Sequence, residues 1–369
     1  MNGSELGRRI YYFRTLFSFK TYVVGLKKIL NDPSIYPEMD RKSKFQRFID
    51  NIVWLIKNHE INRYYNTYGL DIKNFRNPET FVPYRRFAIQ RDNLNLHLVG
   101  EYPNDYNRIC ILRDKSVFAA FVSETIGSKY VVPVLASTDK DNVYIYRNKE
   151  IKLKDYLETR KDKETILKKI DGECGEGVYL LAYNKNEWVV NHNSVELNDF
   201  VAEIEKSKYI IQDRLKQHEA LNRINPACIN TIRFVTILDN NKKAQEFAHF
   251  LRIGVGDSIK DNRATGGYAV NISSEGILGT LAIGHHDSIK KHPDTNIVFE
   301  GIQIPYWKEV VDLVKKTHEQ LPDIKSIGWD VAITPSGPVL IEGNDNWEIG
   351  GPQDMEGGLK DRWNKMISS

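Results

Sequence analysis

One stretch, Ile327 to Trp347 (IGWDVAITPSGPVLIEGNDNW), constrains this chain more than any other. Two apolar runs flank the turn residues Pro335-Ser336-Gly337-Pro338, which is the pattern of a β-hairpin. Side chains on a strand alternate faces, so Glu342 and Asn344 project from the same side. If the loop is the three residues Pro335 to Gly337, Thr334 pairs with Pro338 and Asp330 falls opposite Glu342 on that side. A four-residue loop offsets them by one. Carboxylates facing each other across a ladder repel unless a cation lies between them. An Asp, a Glu and an Asn amide offer hard oxygens and leave coordination positions for phosphate oxygens and water, as Mg²⁺ prefers. The same residues also suit an exposed hairpin whose acidic groups serve solubility, so the rest of the chain must decide.

With 369 residues the chain is long enough for two or three domains and a substantial core. A net charge of +3 spread over 27% charged residues points to a soluble enzyme-sized protein and away from a nucleic-acid binder. Cys110, Cys174 and Cys228 are widely spaced and odd in number, so neither a disulfide framework nor a zinc site is expected, and a reducing cytoplasm fits best. Arg14 and Lys20 interrupt the aromatic N-terminal stretch, which therefore does not read as a signal peptide. No apolar run approaches the roughly 20 residues of a transmembrane helix.

Residues 1–75 read as mostly helical, through RRIYYFRTLFSFKTYVVGLKKIL and FQRFIDNIVWLIKNHEINRYYNTYGL. Between Arg8 and Arg47 ten basic residues face three acidic ones, so this region is expected either to pack on a neighbouring domain or to touch an anionic membrane surface. Residues 76–135 read as mixed α/β, with YNRICIL as a short buried strand and SVFAAFVSETIG as a helix closed by Gly127. A lysine-rich helical region is expected to run to about Lys163. Thr165–Ile170 and Val178–Tyr183 then flank a glycine-rich turn, Gly172 to Gly177, whose successive N–H groups suit phosphate oxygens. It is neither a Walker A loop nor a dinucleotide fingerprint. Further strands follow in SKYIIQDRL, in ACINTIRFVTILD with Arg233, and in AQEFAHFLRIGVG with Arg252; arginines between apolar strand neighbours suggest a site-facing position. KDNRATGG precedes YAVNIS and GILGTLAIG, and PYWKEVVDLVKKTHEQL is an amphipathic helix leading into the hairpin. There is no HExxH, no GxSxG and no histidine pair at metal-binding spacing.

RDK at 113–115, INTIRFVTIL at 229–238, DNRATGG at 261–267 and GWDVAITPSGPVLIEGNDNW at 328–347 together resemble the ATP-grasp superfamily, over roughly residues 105–352. The resemblance is nearest to the sugar-transfer associated ATP-grasp proteins, which occur with polysaccharide biosynthesis functions. It implies an α+β fold in which two α+β subdomains clasp ATP, here with a helical N-terminal region. Residues 136–215 would be the lid subdomain and 216–369 the C-terminal subdomain with the Mg-binding hairpin. It implies, too, that Lys115 and Lys168 bind phosphates, that Gly172, Gly175 and Gly177 belong to a mobile lid, and that Ile211, Gln212 and Asp213 form the hinge strand along adenine. Arg233 and Arg252 would act with Lys168 on the transferred group, and Asp330, Glu342 and Asn344 would hold Mg²⁺. Strand alternation alone does not choose between Lys168 and Lys169; aligning the family's lid glycines selects Lys168. The chain departs from the family pattern at Lys169, where proline is common, and at Gln212, where an acidic residue is common.

The activity implied is a carboxylate–amine ligation through an acyl phosphate, with substrates such as an amino acid, an amino sugar or a uronic acid of a surface polysaccharide. The alternatives are a phosphotransferase acting on a sugar hydroxyl and a non-catalytic nucleotide-binding partner of a glycosyltransferase complex. A cytoplasmic location, peripheral to the inner face of the membrane, would suit a lipid-linked substrate.

Overall fold

The computed structural model describes residues 19–96, 108–140, 142–145, 149–172 and 175–369. Two antiparallel sheets organise it. The first is built from β1 (Ala136–Asp139), β2 (Asn142–Ile145), β3 (Lys149–Lys152), β4 (Thr165–Lys169), β5 (Val178–Asn184), β6 (Glu187–Val190), β7 (Asn193–Val195) and β8 (Tyr209–Asp213), in the order β3-β2-β1-β8-β4-β5-β6-β7. The second contains β9 (Ile232–Leu238), β10 (Ala244–Ile253), β11 (Tyr268–Ile272), β12 (Leu278–Ile283), β13 (Ser288–Ile289), β14 (Ser326–Thr334) and β15 (Gly337–Asn344), in the order β13-β12-β11-β10-β9-β14-β15. Helices segregate to the faces and ends of both sheets, so the expected α+β class is what the chain adopts.

In the first sheet, Leu167, Leu181 and Ile211 pack with Leu153, Leu157, Phe200 and Ile204 of the helices Leu153–Glu158 and Leu197–Ile204. In the second, one face buries Phe234, Leu251, Trp329 and Leu340 against Val310, Leu313 and Val314 of the helix Trp307–His318. Those three apolar positions recur at helical spacing, and Lys315 and Lys316 stand in its last turn, where the helix dipole favours cations. Period-two alternation then sends Arg233, Arg252 and Asp330 to the opposite face, away from this core.

The N-terminal region is tied to the second sheet by buried polar side chains. Asn95 Nδ2 donates to Ser326 O (3.0 Å) and Asp345 O (2.8 Å), while its Oδ1 accepts from Ser326 N (2.9 Å). Arg91 donates to the carbonyls of Asn346 and Trp347, and Phe87 packs on Trp347 and Trp363 with ring centroids 4.7 and 4.9 Å apart. Gln353 bridges Val82 and Tyr68 in the same way.

Several sequence expectations need correction. The described part of YNRICIL, residues 108–112, leads into the helix Cys110–Arg113 and contains no strand: Ile109 and Leu112 enter the core, and Asp114 caps the next helix, Lys115–Val122, at Ser116 N (2.8 Å) and Val117 N (3.1 Å). A short apolar run cannot by itself separate strand from buried helix. The lysine-rich region thought helical to Lys163 is half hairpin, β2 and β3, before the helix Leu153–Glu158 begins. The second N-terminal helix, Lys44–Asn58, ends early at a left-handed His59 (φ 56°), and residues 63–70 form turns. Of the first N-terminal stretch, the helix Phe19–Asn31 is described and residues 8–18 lie outside the described part.

The buried His318 links three elements. Trp329 Nε1–H donates to Thr236 Oγ1 (2.8 Å), the Thr236 hydroxyl pairs with His318 Nδ1 (2.7 Å), and His318 Nε2 pairs with Ile324 O (2.8 Å). Burial pushes the imidazole down to about 4 from its usual 6.5. A base with a depressed folded value binds its proton more readily when unfolded. Stability from this group is therefore complete above pH 6.5 and is lost as the pH falls towards 4. Urea unfolding should show that loss, on the order of 3 kcal/mol, flattened in His318→Gln; equal slopes in both proteins would contradict it.

Candidate active site

The hairpin β14–β15 brings Asp330 opposite Glu342 by a route different from the expected one. Thr334 pairs with Gly337, so the loop holds two residues, Pro335 and Ser336, which alone would shift the register by one. A β-bulge between the pairs Val331–Leu340 and Asp330–Glu342 restores it. The extra residue is Ile341, and the bulge turns both Ile341 and Glu342 towards a cleft that Asn344 also lines.

That cleft, about 640 Å³, lies between the two sheets. Asp330 is buried on its floor with both oxygens held by guanidinium groups. Arg233 Nε donates to Oδ1 (2.6 Å) and its Nη2 to Oδ2 (3.3 Å); Arg252 Nη2 donates to Oδ2 (2.7 Å). Burial alone would raise this carboxyl, but the two arginines outweigh it and hold Asp330 below the usual range. Glu342 shows the opposite balance: burial and the adjacent Asp330 push it up, against the pull of Lys115. A carboxylate pair so unequal is short of positive charge at Glu342, which is what a divalent cation would supply.

Arg252 is itself braced. Its Nε and Nη2 donate to Thr231 Oγ1 (3.0 and 2.7 Å), and the Thr231 N–H and hydroxyl both donate to the buried Asp261. No Nη1 contact of Arg233 or Arg252 occurs among the described residues, so each guanidinium keeps donors for the cleft.

Each residue of the RDK segment has a distinct place. Arg113 grips Asp345, just past the hairpin, through Nε (3.1 Å) and Nη2 (2.7 Å); Asp114 is the helix cap described above; Lys115 Nζ donates to Gly172 O (2.6 Å) and lies 3.8 Å from Glu342. Lys168 lines the cleft with Ile166, two residues earlier on β4, whereas Lys169 points the other way, with Nζ 3.6 Å from Glu176. Burial lowers the Lys168 ammonium, with Lys115 adding to that and Glu342 opposing it.

Gly172 and Gly175 line the cleft, while Gly177, with φ at +64°, closes the hairpin through Lys169 N–H to Gly177 O (3.0 Å). Gly175 (φ +76°) comes close to Lys260 and Asn262 of the second sheet's connecting segment, which also line the cleft. On β8, Gln212 and Asp213 line the cleft, but the Gln212 amide donates to Val132 O (3.1 Å) and Asp213 pairs with Arg160; the Ile211 side chain is in the first sheet's core. Ile166, Leu180, Val132, Leu215 and Ile341 supply the apolar walls at this end.

The other end of the cleft was not anticipated. Tyr64 and Tyr84, from the N-terminal region, donate their hydroxyls to Glu348 (2.9 and 3.0 Å), and Arg63 lies 3.6 Å above the Tyr84 ring. Arg263 and His285 line this end too, with Arg263 Nη1 2.6 Å from the buried Asp354. The DNRATGG motif marked Asp261 and Arg263 without indicating their tasks; nothing local marked the tyrosines, whose approach to Glu348 spans most of the chain.

No group of three or more His, Cys, Asp and Glu side chains that could hold a metal occurs among the described residues. Asp330, Glu342 and the Asn344 amide nevertheless fit Mg²⁺, which keeps open positions for water and phosphate oxygens. Asn344 Nδ2 donates to Gly328 O (3.2 Å), which leaves its Oδ1 as the ligating atom.

Residues 94–367 match the sequence profile of the family described as sugar-transfer associated ATP-grasp. The chain belongs to this family and has its α+β ATP-grasp fold, preceded by a helical N-terminal region. No curated protein matches it. Among solved structures it is similar to N5-carboxyaminoimidazole synthetase from Staphylococcus aureus complexed with ADP (14% identity, 69% of this chain and 51% of that one, TM-score 0.40). It is also similar to an ADP complex of N5-carboxyaminoimidazole ribonucleotide synthetase (10%, 65% and 46%, 0.37) and to D-alanine–D-alanine ligase from Bacillus anthracis (13%, 71% and 70%, 0.38). The chain spans about half the length of the first of these structures.

Proposed function

We propose that the protein is an ATP-dependent carboxylate–amine ligase that forms an amide through an acyl phosphate. The observation that carries this reading is the convergence of Asp330, Glu342, Arg233, Arg252, Lys115 and Lys168 in one cleft that continues to a separate polar end at Tyr64, Tyr84 and Glu348. Such a cleft has room for a nucleotide and a second substrate. Adenine would lie between Ile166, Leu180 and Ile341 along β8, and Lys115 and Lys168 would take the phosphates. Mg²⁺ held by Asp330, Glu342 and Asn344 would neutralise charge on the phosphate oxygens.

Phosphoryl transfer needs positioning and charge stabilisation above all. A substrate carboxylate oxygen would attack the γ-phosphorus with ADP leaving, and the Nη1 groups of Arg233 and Arg252 would steady the transferred group. An amine would then attack the acyl carbon and displace phosphate. The glycine loop against Lys260 and Asn262 would keep water from the acyl phosphate. Every charged side chain named at the polar end has an opposite charge beside it in Arg63–Glu348 and Arg263–Asp354, which suits the neutral, hydroxyl-rich ring of a sugar acceptor, an amino sugar or uronic acid. With the sugar-transfer description of the family, this favours a cytoplasmic step in the modification of a surface polysaccharide or its precursor.

The test is ADP and phosphate release from the full chain with Mg²⁺ and pooled amino acids, amino sugars and uronic acids. Release that requires a carboxylate and an amine together is the expected result; a stable phosphorylated sugar would establish a phosphotransferase instead. Nucleotide binding without turnover of any pool would favour a non-catalytic partner role. Calorimetry should also show Lys168→Met weakening nucleotide binding by about 10- to 100-fold, the loss of a charged hydrogen bond, with Lys169→Met within roughly twofold of wild type. The reverse ranking would move the nucleotide off this face of β4.

A further inference from the structure

The helix Lys44–Asn58 is amphipathic with its faces exchanged. Its inward side buries Arg47 and Asn51 beside Trp54, and Asn51 Nδ2 donates to Arg47 O (2.9 Å). Its outward side carries Phe45 (73% exposed), Phe48, Ile49, Val53 and Ile56 (71% exposed), with the half-buried Ile52 among them. At 100° per residue these six side chains fall within an arc of roughly 140° and form one continuous apolar ridge about 16 Å long. Lys44 and Lys57 stand on its two sides. On the neighbouring helix Phe19–Asn31 the exposed positions include Val24, Lys27 and Lys28. Lys27, Lys28 and Lys44 have no ion-pair partner among the described residues, while the acidic Asp50 and Glu79 nearby are neutralised by Lys42 and Lys57.

We propose that this ridge docks the protein on an anionic bilayer surface, with the apolar side chains entering the headgroup boundary and the lysines meeting lipid phosphates. Two observations favour lipid over a second copy of the chain. The ridge is a convex single-helix face whose length and roughly 10 Å width fall well short of the ~800 Å² per partner of a stable protein interface. The lysines of these two helices that lack an ion pair among the described residues, Lys27, Lys28 and Lys44, give the face a charge of the sign that an anionic membrane requires, whereas two copies would bring like charges together. No helix among the described residues is long and apolar enough to cross a membrane. The inference does not depend on the ligase reading.

Sedimentation of the full chain with phosphatidylcholine vesicles, with and without 30% or so phosphatidylglycerol, tests it. Wild type should pellet with the anionic vesicles only, less as salt rises, and Ile49→Glu with Ile56→Glu should lower the affinity at least about tenfold without changing Tm. In a second measurement, Ile56→Trp should gain emission that shifts to the blue and is quenched by brominated anionic lipid. Wild type staying in the supernatant, or undiminished binding by the double variant, which would assign attachment to another segment, overturns the proposal. So does a dimer in solution that the double variant splits, because the ridge would then join two copies.

Discussion

Glu342→Gln should reduce ATP turnover by about 10²- to 10³-fold or more while leaving Tm almost unchanged. The amide keeps the volume of the side chain and removes the charge that would hold a cation between it and Asp330. Asp330 cannot make up the loss alone, because its negative charge is already balanced by Arg233 and Arg252. The fold should be indifferent for a physical reason: burial and Asp330 already push the Glu342 carboxyl towards its neutral form, so a neutral isostere relieves a repulsion. The measurement is the rate of ADP release across a Mg²⁺ titration, alongside a thermal melt. Activity above about a tenth of wild type would remove Glu342 from the machinery.

Asp330→Ala should act on stability as well. This carboxylate is 2% exposed and compensates two arginines whose side chains are only 17% and 16% exposed. Removing it leaves two guanidinium groups largely buried around a missing anion, the situation that costs about 3–5 kcal/mol when one partner of a buried pair is deleted. Asp261 offers Arg252 partial relief at 3.6 Å, whereas Arg233 has no second carboxylate among the described ion pairs. Arg233→Met added to Asp330→Ala should therefore recover part of the loss. Urea unfolding measures both; a loss below about 1 kcal/mol in the single variant would mean that the arginines are better solvated than their burial indicates. The two substitutions thus separate the roles of the paired carboxylates, one chemical and one also structural.

How much of this was legible in the sequence depended on whether a residue's surroundings are local. Alternation put Glu342 and Asn344 on one face, but the facing of Asp330 and Glu342 was left open by the turn; it rests on a two-residue loop and a bulge at Ile341 that offset each other. Alternation also separates Lys168 from Lys169, and Arg233 and Arg252 from their apolar neighbours, because period two is a property of the strand itself. YNRICIL was ambiguous because its apolar run, the four residues Ile109 to Leu112, has no periodicity long enough to choose helix or strand. The hairpin β2–β3 was hidden because Tyr144, Glu150 and Lys152 are exposed there and so carry no core signal. Tyr64, Tyr84 and Arg63 could not be read at all: their meeting with Glu348 is fixed by Asn95, Arg91 and Gln353, long-range buried polar contacts with no local pattern.

The most direct measurement is a crystal structure of the full chain with Mg²⁺ and a non-hydrolysable ATP analogue. It should place the adenine between the two sheets against β8, the phosphates at Lys115 and Lys168 beneath the glycine loop, and the cation between Asp330 and Glu342. A nucleotide bound outside this cleft, or phosphates turned away from the Asp330–Glu342 pair with no cation there, would contradict the account.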